Sequence, residues 1–374
     1  MPQYFATVAH GLESLAAAEL AALGAQGVKE GFCGVAFQGD LGLLYRVNLW
    51  SRLAFRVLVR LGDGPCVDAD DLYRGIQSLD WRPYLPPDHT LAVDVSGQHR
   101  RLNHSHFTAL QVKNAIVDQQ REHWGERSSV DAHQPDVRVN VHLHRDHYTV
   151  SLDSSGHSLH RRGYRAAVGA APLKETLAAA LVQWTGWKGE VPLIDPLCGS
   201  GTLPLEASLM ALGIAPGLFR ESFGFQTWPN FDAALWDDLC QEADASHGGE
   251  LKTLIWGCDR DESVIQQAQG NAERCGLADQ IQFFVQELED LAAPADQGYI
   301  LCNPPYGERL GQDENLAVFY RQLGDVLKQR FKGWTAFVLS GNKDLARTIG
   351  LKSAQRWAVH NGSIPCQWMK YELY

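Results

Sequence analysis

Apolar and polar positions follow two regimes along the chain, and the change falls near residue 165. Up to residue 60, the runs YFATVA, GVAFQG and FRVLVRLG read as strands. Between them lie two runs with helical spacing, LESLAAAELAALG, ended by Gly24, and DLGLLYRVNLWSRLA. Residues 61–90 add a helix over DADDLYRGIQSLDW, with Asp68 as its N-cap, and then the breaker-rich RPYLPPDHT. A strand LAVDVSG, a long helix FTALQVKNAIVDQQREHWG closed by Gly125, and two alternating strands, VRVNVHLHR and YTVSLDSS, complete this half. The pattern predicts a small α+β assembly of about two subdomains. From about residue 166, strands alternate with helices, which predicts an α/β fold with a parallel, doubly wound sheet. Its strands are PLIDPL, TLIWGCD, IQFFVQE, GYILCN, TAFVLSG, RWAVHN and QWMKYEL, seven in all. The last two are joined by GSIPC and predict a hairpin that puts an antiparallel strand into the sheet.

Composition narrows the class. At 374 residues, 45% hydrophobic and 21% charged, the chain should hold more than one domain, each with a real core. No apolar run approaches the ~18 residues of a membrane span, and MPQYFATVAHGLESL lacks the order of a signal peptide. Eight scattered cysteines without a CxxC pair read as reduced thiols. The expected location is therefore cytoplasmic. A net charge of −11 argues against indiscriminate coating of nucleic acid. Its distribution changes that picture. Between His99 and Arg165 stand ten Lys/Arg against seven Asp/Glu, a local +3, and ten of the fourteen histidines. An acidic enzyme with one basic, polar-faced module is the expected appearance of a selective RNA enzyme.

Four motifs carry chemistry, each at a strand's carboxyl end. The first is DPLCGSGT, Asp195 to Thr202. Its small residues let backbone approach a ligand, and helix-terminal N–H groups face it. The dinucleotide pattern GxGxxG fails, because Gly201 is followed by Thr202, Leu203 and Pro204. Asp195 would repel a pyrophosphate but suits a ligand with an amine. The second is WGCDRD, where Asp259 can accept both hydroxyls of a ribose. Asp259 lies 64 residues after Asp195, against the usual ~20. The excess is an insertion containing Phe219, Phe223, Phe225 and Trp228, which reads as a packed flap over the sheet rather than a base-stacking surface. The third is Glu287, placed to reach an adenine amine or simply a solvated strand end.

The fourth motif is Asn303-Pro304-Pro305-Tyr306. An aromatic exocyclic amine is a poor nucleophile because its lone pair is spread into the ring. The Asn303 side-chain oxygen and the Pro304 carbonyl can accept its two hydrogens and stabilise positive charge as it develops. The two prolines fix φ and remove competing donors, and Tyr306 offers a face to an extruded base. Alone, DPLCGSGT and NPPY also read as ordinary turns and Glu287 as a solvated strand end; their order is what points to a nucleobase amine methyltransferase. Ahead of them, RRGYR (residues 161–165) and PLKETL form a basic linker running into a helix, with Glu175 and Thr176 facing the cofactor or solvent. His142, His144 and His147 suggest a metal, but Asn140, His142 and His144 form the polar face of a strand, and no metal is expected.

The runs RGYRAAVGAAPLKETLAAALV, LIDPLCGSGTLPLEA, WGCDRD and LCNPPYGERL resemble the bacterial large-subunit ribosomal RNA guanine-N2 methyltransferases that carry a THUMP domain. ATVAHGLESLAAAEL, NLWSRLAFRVL, DLYRGIQSLDW and PDVRVNVHLHRD are similar to that family's RNA-binding half, so the resemblance spans the chain. It implies a ferredoxin-like piece over residues 1–60, THUMP over 61–160, and a seven-strand Rossmann-like class I methyltransferase domain over 161–374. It also implies S-adenosyl-L-methionine as cofactor and guanine N2 of 23S ribosomal RNA, or a large-subunit assembly intermediate, as target, with no membrane partner. The expected cofactor set is Glu175, Thr176, Asp195, Cys198, Gly199, Ser200, Gly201, Thr202, Asp259, Arg260, Glu287, Leu288 and Asn303. The guanine would be held by Asn303, Pro304, Pro305 and Tyr306. RNA contacts are expected from Arg100, Arg101, Lys113, Arg138, Arg161, Arg162 and Arg165. Two departures stand out: Glu287 replaces a commoner Asp, and the chain stops at Tyr374 where some relatives continue into a second methyltransferase domain, which implies one activity. The competing readings are an adenine-N6 methyltransferase, a catalytically silent RNA-binding assembly factor and, more distantly, a nicotinamide dehydrogenase.

Overall fold

The computed structural model describes residues 1–165, 173–306 and 313–374. The expected runs after Arg165 and after Tyr306, including Pro172 and the GERL of NPPYGERL, lie partly or wholly outside the described residues. The chain forms two compact units. The first comprises Met1–Val8, Ala16–Leu159 and Arg220–Gln241; the second comprises Ala9–Leu15, His160–Phe219 and Glu242–Tyr374.

The first unit is built on one eight-stranded sheet. Its strands are β1 (Gln3–Thr7), β2 (Gln26–Gly31), β3 (Gly34–Gln38), β4 (Arg56–Pro65), β5 (Thr90–Gln98), β6 (Ser129–Val130), β7 (Val137–His144) and β8 (His147–Asp153). They are ordered β2-β3-β1-β4-β8-β7-β5-β6. Residue 60 falls inside β4, which pairs with β1 through its first half and with β8 along its length. One strand therefore serves both pieces of the sheet. Alternation decides the faces: Val137, Val139, Val141 and Leu143 are buried, while Arg138, Asn140, His142 and His144 face outward. Two helix ends are capped as the sequence indicates. The Asp68 side chain accepts from the Asp70 and Asp71 N–H groups at the start of α3 (Ala69–Gln77). Gly125, at φ 73°, closes α4 (Ser105–Trp124).

The insertion is divided: up to Phe219 it belongs to the second unit, and from Arg220 to this first one, where its rings find their partners. Phe225 stacks on Tyr45 of α2 (Leu41–Trp50) with ring centroids 4.3 Å apart, and Trp236 closes edge-on at 5.1 Å from Phe225. The Asp232 N–H donates to the Tyr45 hydroxyl at 3.0 Å. Phe223, Phe225 and Trp228 are buried, so these rings are packing groups.

The second unit is a seven-stranded sheet, and all seven expected segments form its strands. They are β9 (Leu193–Asp195), β10 (Ile255–Asp259), β11 (Gln282–Val285), β12 (Tyr299–Cys302), β13 (Thr335–Ser340), β14 (Gln355–Asn361) and β15 (Ile364–Glu372). Their order is β11-β10-β9-β12-β13-β15-β14. The expected hairpin makes β15 antiparallel to both β13 and β14. This is the seven-strand Rossmann-like sheet that the resemblance implies. Chain order runs outward from β9 through β10 to β11 on one side and from β12 to β13 on the other, so the order reverses between β9 and β12. That reversal opens a crevice at the carboxyl ends, where such folds bind ligands. Tyr320, Phe331, Trp334, Ile300 and Val338 fill the core beneath it. No helix among the described residues is long and apolar enough to cross a membrane.

Candidate active site

The crevice begins with β9. Three apolar-flanked residues end in Asp195, whose side chain is buried at 2% exposure and accepts the Leu197 N–H at 3.1 Å. Burial drives its carboxyl well above the usual range, and the neighbouring Asp259 carboxylate adds to the rise. The chain then turns through Gly199 (φ 52°) and Gly201 (φ 83°) into α6 (Thr202–Ala211). Gly201 is required twice over: its backbone is left-handed, and a Cβ there would meet Phe283 at 2.9 Å and Ala268 at 3.1 Å.

Asp259, at the end of β10, ties the loops together. Its Oδ2 accepts from the Gly199 N–H and its Oδ1 from the Asp261 N–H, both at 3.1 Å. The buried Asn271, in α8 (Glu262–Arg274), donates from Nδ2 to the Ser200 carbonyl at 3.0 Å. Sequence reading passed over Asn271. Its signal was an amide on the same helical stripe as the buried Ile265, Ala268 and Ala272. Glu287 stands exposed just past β11, beside the buried Leu288, and Arg260 is also exposed.

On the other side of the crevice, Arg165 donates from Nε to Glu175 Oε1 at 3.1 Å and from Nη2 to Thr202 Oγ1 at 2.9 Å. The arginine thus fastens the start of α5 (Glu175–Thr185) to the start of α6. Thr176 Oγ1 is buried and has no partner among the described residues. Arg162 is buried against Glu206, Nε to Oε1 at 3.5 Å, with the Tyr164 hydroxyl on the same oxygen at 3.1 Å. Arg162 and Arg165, expected to contact RNA, are therefore internal struts. Their charges neutralise Glu206 and Glu175, which burial would otherwise make costly. Arg138 is bound to Asp94 at 3.0 Å. Arg100, Arg101 and Arg161 are exposed and Lys113 is half-buried.

Asn303 follows β12, with Pro304 buried behind it. Its Oδ1 is buried and has no partner among the described residues. Tyr306 is fixed at its hydroxyl, which accepts from Asn361 Nδ2 at 2.8 Å, and burial raises its ionisation well above the ordinary phenol range. Its ring lies against Gly341: a Cβ there would stand 2.8 Å from Tyr306 Cδ2 and 3.0 Å from Cε2. Gly341→Ala should push the ring out of place and so change KM for the RNA substrate, whereas Tyr306→Phe keeps the ring and should be mild. Equal KM values for the alanine variant and the parent protein would show that the ring position is unimportant.

The chain's relatives bear on this geometry. A family model described as the RMKL-like methyltransferase domain matches residues 162–370. Models for the THUMP domain and the RlmL ferredoxin-like domain match residues 66–153 and 3–58. The chain belongs to the RMKL-like methyltransferase family. It is 56% identical to a putative RNA methyltransferase of Synechocystis sp., over 99% of this chain and 97% of that one. It is 44% identical to the ribosomal RNA large subunit methyltransferase K/L of Syntrophotalea carbinolica, over 99% of this chain and 53% of that one. The chain thus spans about half the length of its K/L relatives. Among solved structures, a putative methyltransferase complexed with SAH superimposes with TM-score 0.91 at 30% identity, covering 100% of this chain and 98% of that one. A protein of Listeria monocytogenes described as a predicted N6-adenine-specific DNA methylase gives 0.91 at 34% identity, covering 100% and 96%.

S-adenosylmethionine is the cofactor of this family's domain, and the crevice suits it. Two neighbouring carboxylates, Asp195 and Asp259, make a floor that repels a pyrophosphate and favours a cationic ligand.

Proposed function

We propose that the chain methylates the exocyclic N2 amine of a guanine in 23S ribosomal RNA, in the cytoplasm, on naked RNA or a large-subunit assembly intermediate. The observation that carries the reading is Asn303 Oδ1, a buried acceptor without a partner among the described residues, at the carboxyl end of β12. The THUMP match and the relatives' names support RNA as the polymer. The likeness of LCNPPYGERL to the guanine-N2 enzymes supports the base. We assign residues 1–60 and 61–160 to RNA binding and 161–374 to catalysis.

When bound, S-adenosylmethionine supplies a methyl group on a sulfonium, which needs an aligned nucleophile more than a strong base. The chain's own groups do the rest. Asp195 takes the cofactor's amine, Thr176 a polar group of its methionine end, and Asp259 the ribose, with Gly199, Ser200 and Gly201 giving the close backbone approach. Cys198, Thr202, Arg260 and Leu288 line the same loops, and Glu287 reaches the adenine. Asn303 Oδ1 and the Pro304 carbonyl accept the guanine amine's hydrogens, Pro305 stiffens that segment, and Tyr306 supports the base.

Asp259→Ala should weaken cofactor binding by about 1–3 kcal/mol, the scale of unpairing a charged hydrogen-bond site. Isothermal titration that finds unchanged affinity would remove Asp259 from the ribose. The function itself is tested by nucleoside mass spectrometry of ribosomal RNA from cells with and without the gene. Loss of N2-methylguanosine is expected. Loss of N6-methyladenosine instead would establish the adenine reading, which NPPY chemistry equally serves.

A further inference from the structure

The outward face of the eight-stranded sheet holds a groove of about 800 Å³, which none of the motifs above uses. Strand register shows how it is made. Lys29 pairs with Ala36, Ala36 with Phe5, and Phe5 with Leu58, so these four share one face across β2, β3, β1 and β4. Arg60, Ser151 and Asn140 form a second row across β4, β8 and β7. The alternate residues Tyr4, Ala6, Val35, Phe37 and Val57 are buried on the opposite face. The groove face is the more exposed of the two, although Leu58 and Ser151 at its floor are buried.

Its lining has a particular chemistry. Lys29, Arg56 and Arg60 contribute to the wall beside His142, and among the described residues no carboxylate does, in a chain of net charge −11. Arg56 is held in place by Asp153 and by the Gly156 carbonyl at 2.8 Å. Among the described residues Arg60 meets Gln3 at 3.3 Å and an exposed Asp63 at 2.6 Å, a surface pair of small worth. Between the cations lies an aromatic ring. Phe5 extends over a patch that has no side chains: a Cβ on Gly34 would sit 2.2 Å from Phe5 Cζ and 2.4 Å from Cε1, and one on Gly31 would sit 3.9 Å from Cε2. The glycines thus let the ring spread across neighbouring strands instead of standing upright. Ser96, Thr149 and Asn140 add hydrogen-bonding groups further along.

We propose that this groove binds a single-stranded segment of the RNA substrate, with Lys29 and Arg60 on phosphates and a base stacked on Phe5. The proposal rests on the RNA reading above and moves the recognition surface from the 99–165 arginines to the ferredoxin-like strands. Cations along a backbone track with an aromatic between them suit unpaired nucleotides; a duplex keeps its bases stacked on each other and has none to offer Phe5.

The test is fluorescence anisotropy of the full chain with a labelled short single-stranded RNA, with unlabelled duplex RNA as competitor. Lys29→Ala with Arg60→Ala should weaken binding roughly tenfold and flatten the log–log salt dependence by about 1.4, for two phosphates on a single strand. Phe5→Leu keeps apolar bulk but removes the stacking face, and should cost about fivefold or more. Melting temperature and cofactor affinity should match the parent protein for both variants. Unchanged RNA affinity in both variants would overturn the proposal. So would equal competition by duplex, or normal RNA binding with lost binding to ribosomal proteins, which would make the groove a protein-docking surface. Methylation of RNA by the parent protein is measured alongside. If it occurs while the variants bind normally, only the groove assignment fails; if it does not occur, the functional reading fails.

Discussion

Replacing Asn303 by alanine should lower the single-turnover rate of methyl transfer by about 10²–10³-fold, by analogy with loss of one preorganised oxyanion-hole donor. The expectation comes from a buried oxygen. Oδ1 of Asn303 has no partner among the described residues, and a polar atom so placed is costly unless something arrives to bond it. A nucleobase amine that becomes positive during transfer is such a group, and it bonds Oδ1 more strongly in the transition state than before it. The loss should therefore appear in the chemical step. Cofactor affinity should barely move, because Asp195 and Asp259 lie at the ends of the neighbouring strands β9 and β10 and remain intact. Rapid-quench measurements with saturating RNA and cofactor separate that step from binding. Near-parental turnover would mean that NPPY is only a turn and that the amine is activated elsewhere.

The seven-stranded sheet was legible because its strands are short apolar runs bounded by polar residues, so Asp195, Asp259 and Asn303 marked where three strands end; the roles proposed for them rest on chemistry rather than on periodicity. What escaped the sequence had other physics. β2, QGVKEG, is polar and almost wholly exposed; it is a strand because β3 offers it hydrogen bonds, which no periodicity records. Arg162 and Arg165 read as surface cations because arginine usually is one. Their partners, Glu206 and Glu175, are distant in sequence or ambiguous in role. In hindsight Glu206 was a clue, an acid in the otherwise apolar run TLPLEASLMALG. The aromatic insertion was legible as packing, yet nothing local could identify Tyr45, nearly half the chain earlier, as the ring it packs on. Asn361 and Gly341, which hold Tyr306, were illegible for the same reason: they meet it only once β13 to β15 have paired.

Asp195→Asn separates what the site costs the protein from what it does for the cofactor. The carboxyl is 2% exposed, and its ionisation is raised by burial first and by Asp259 next. A folded-state value above the unfolded 3.8 means that the folded chain holds this proton more firmly than the unfolded chain does. The group therefore favours folding at low pH, and that contribution is lost as pH rises from about 3.8 through the raised folded value. At neutral pH the cofactor-free protein thus carries a cost at this carboxyl that is absent at low pH. Asparagine keeps the shape and the acceptor for the Leu197 N–H but removes the charge, so the cofactor-free variant should melt higher at pH 7 than the parent. The difference should narrow as the pH is lowered toward 4. With the cofactor's ammonium as the carboxylate's partner the sign reverses. Removing one member of a buried, hydrogen-bonded charge pair should weaken binding by about 2–5 kcal/mol. Melting curves with and without S-adenosylhomocysteine, which carries the same amine, read both effects in one experiment. A variant that melts higher yet keeps parental affinity would place the amine elsewhere, and one that melts lower would show that the Asp195 charge is already compensated within the fold.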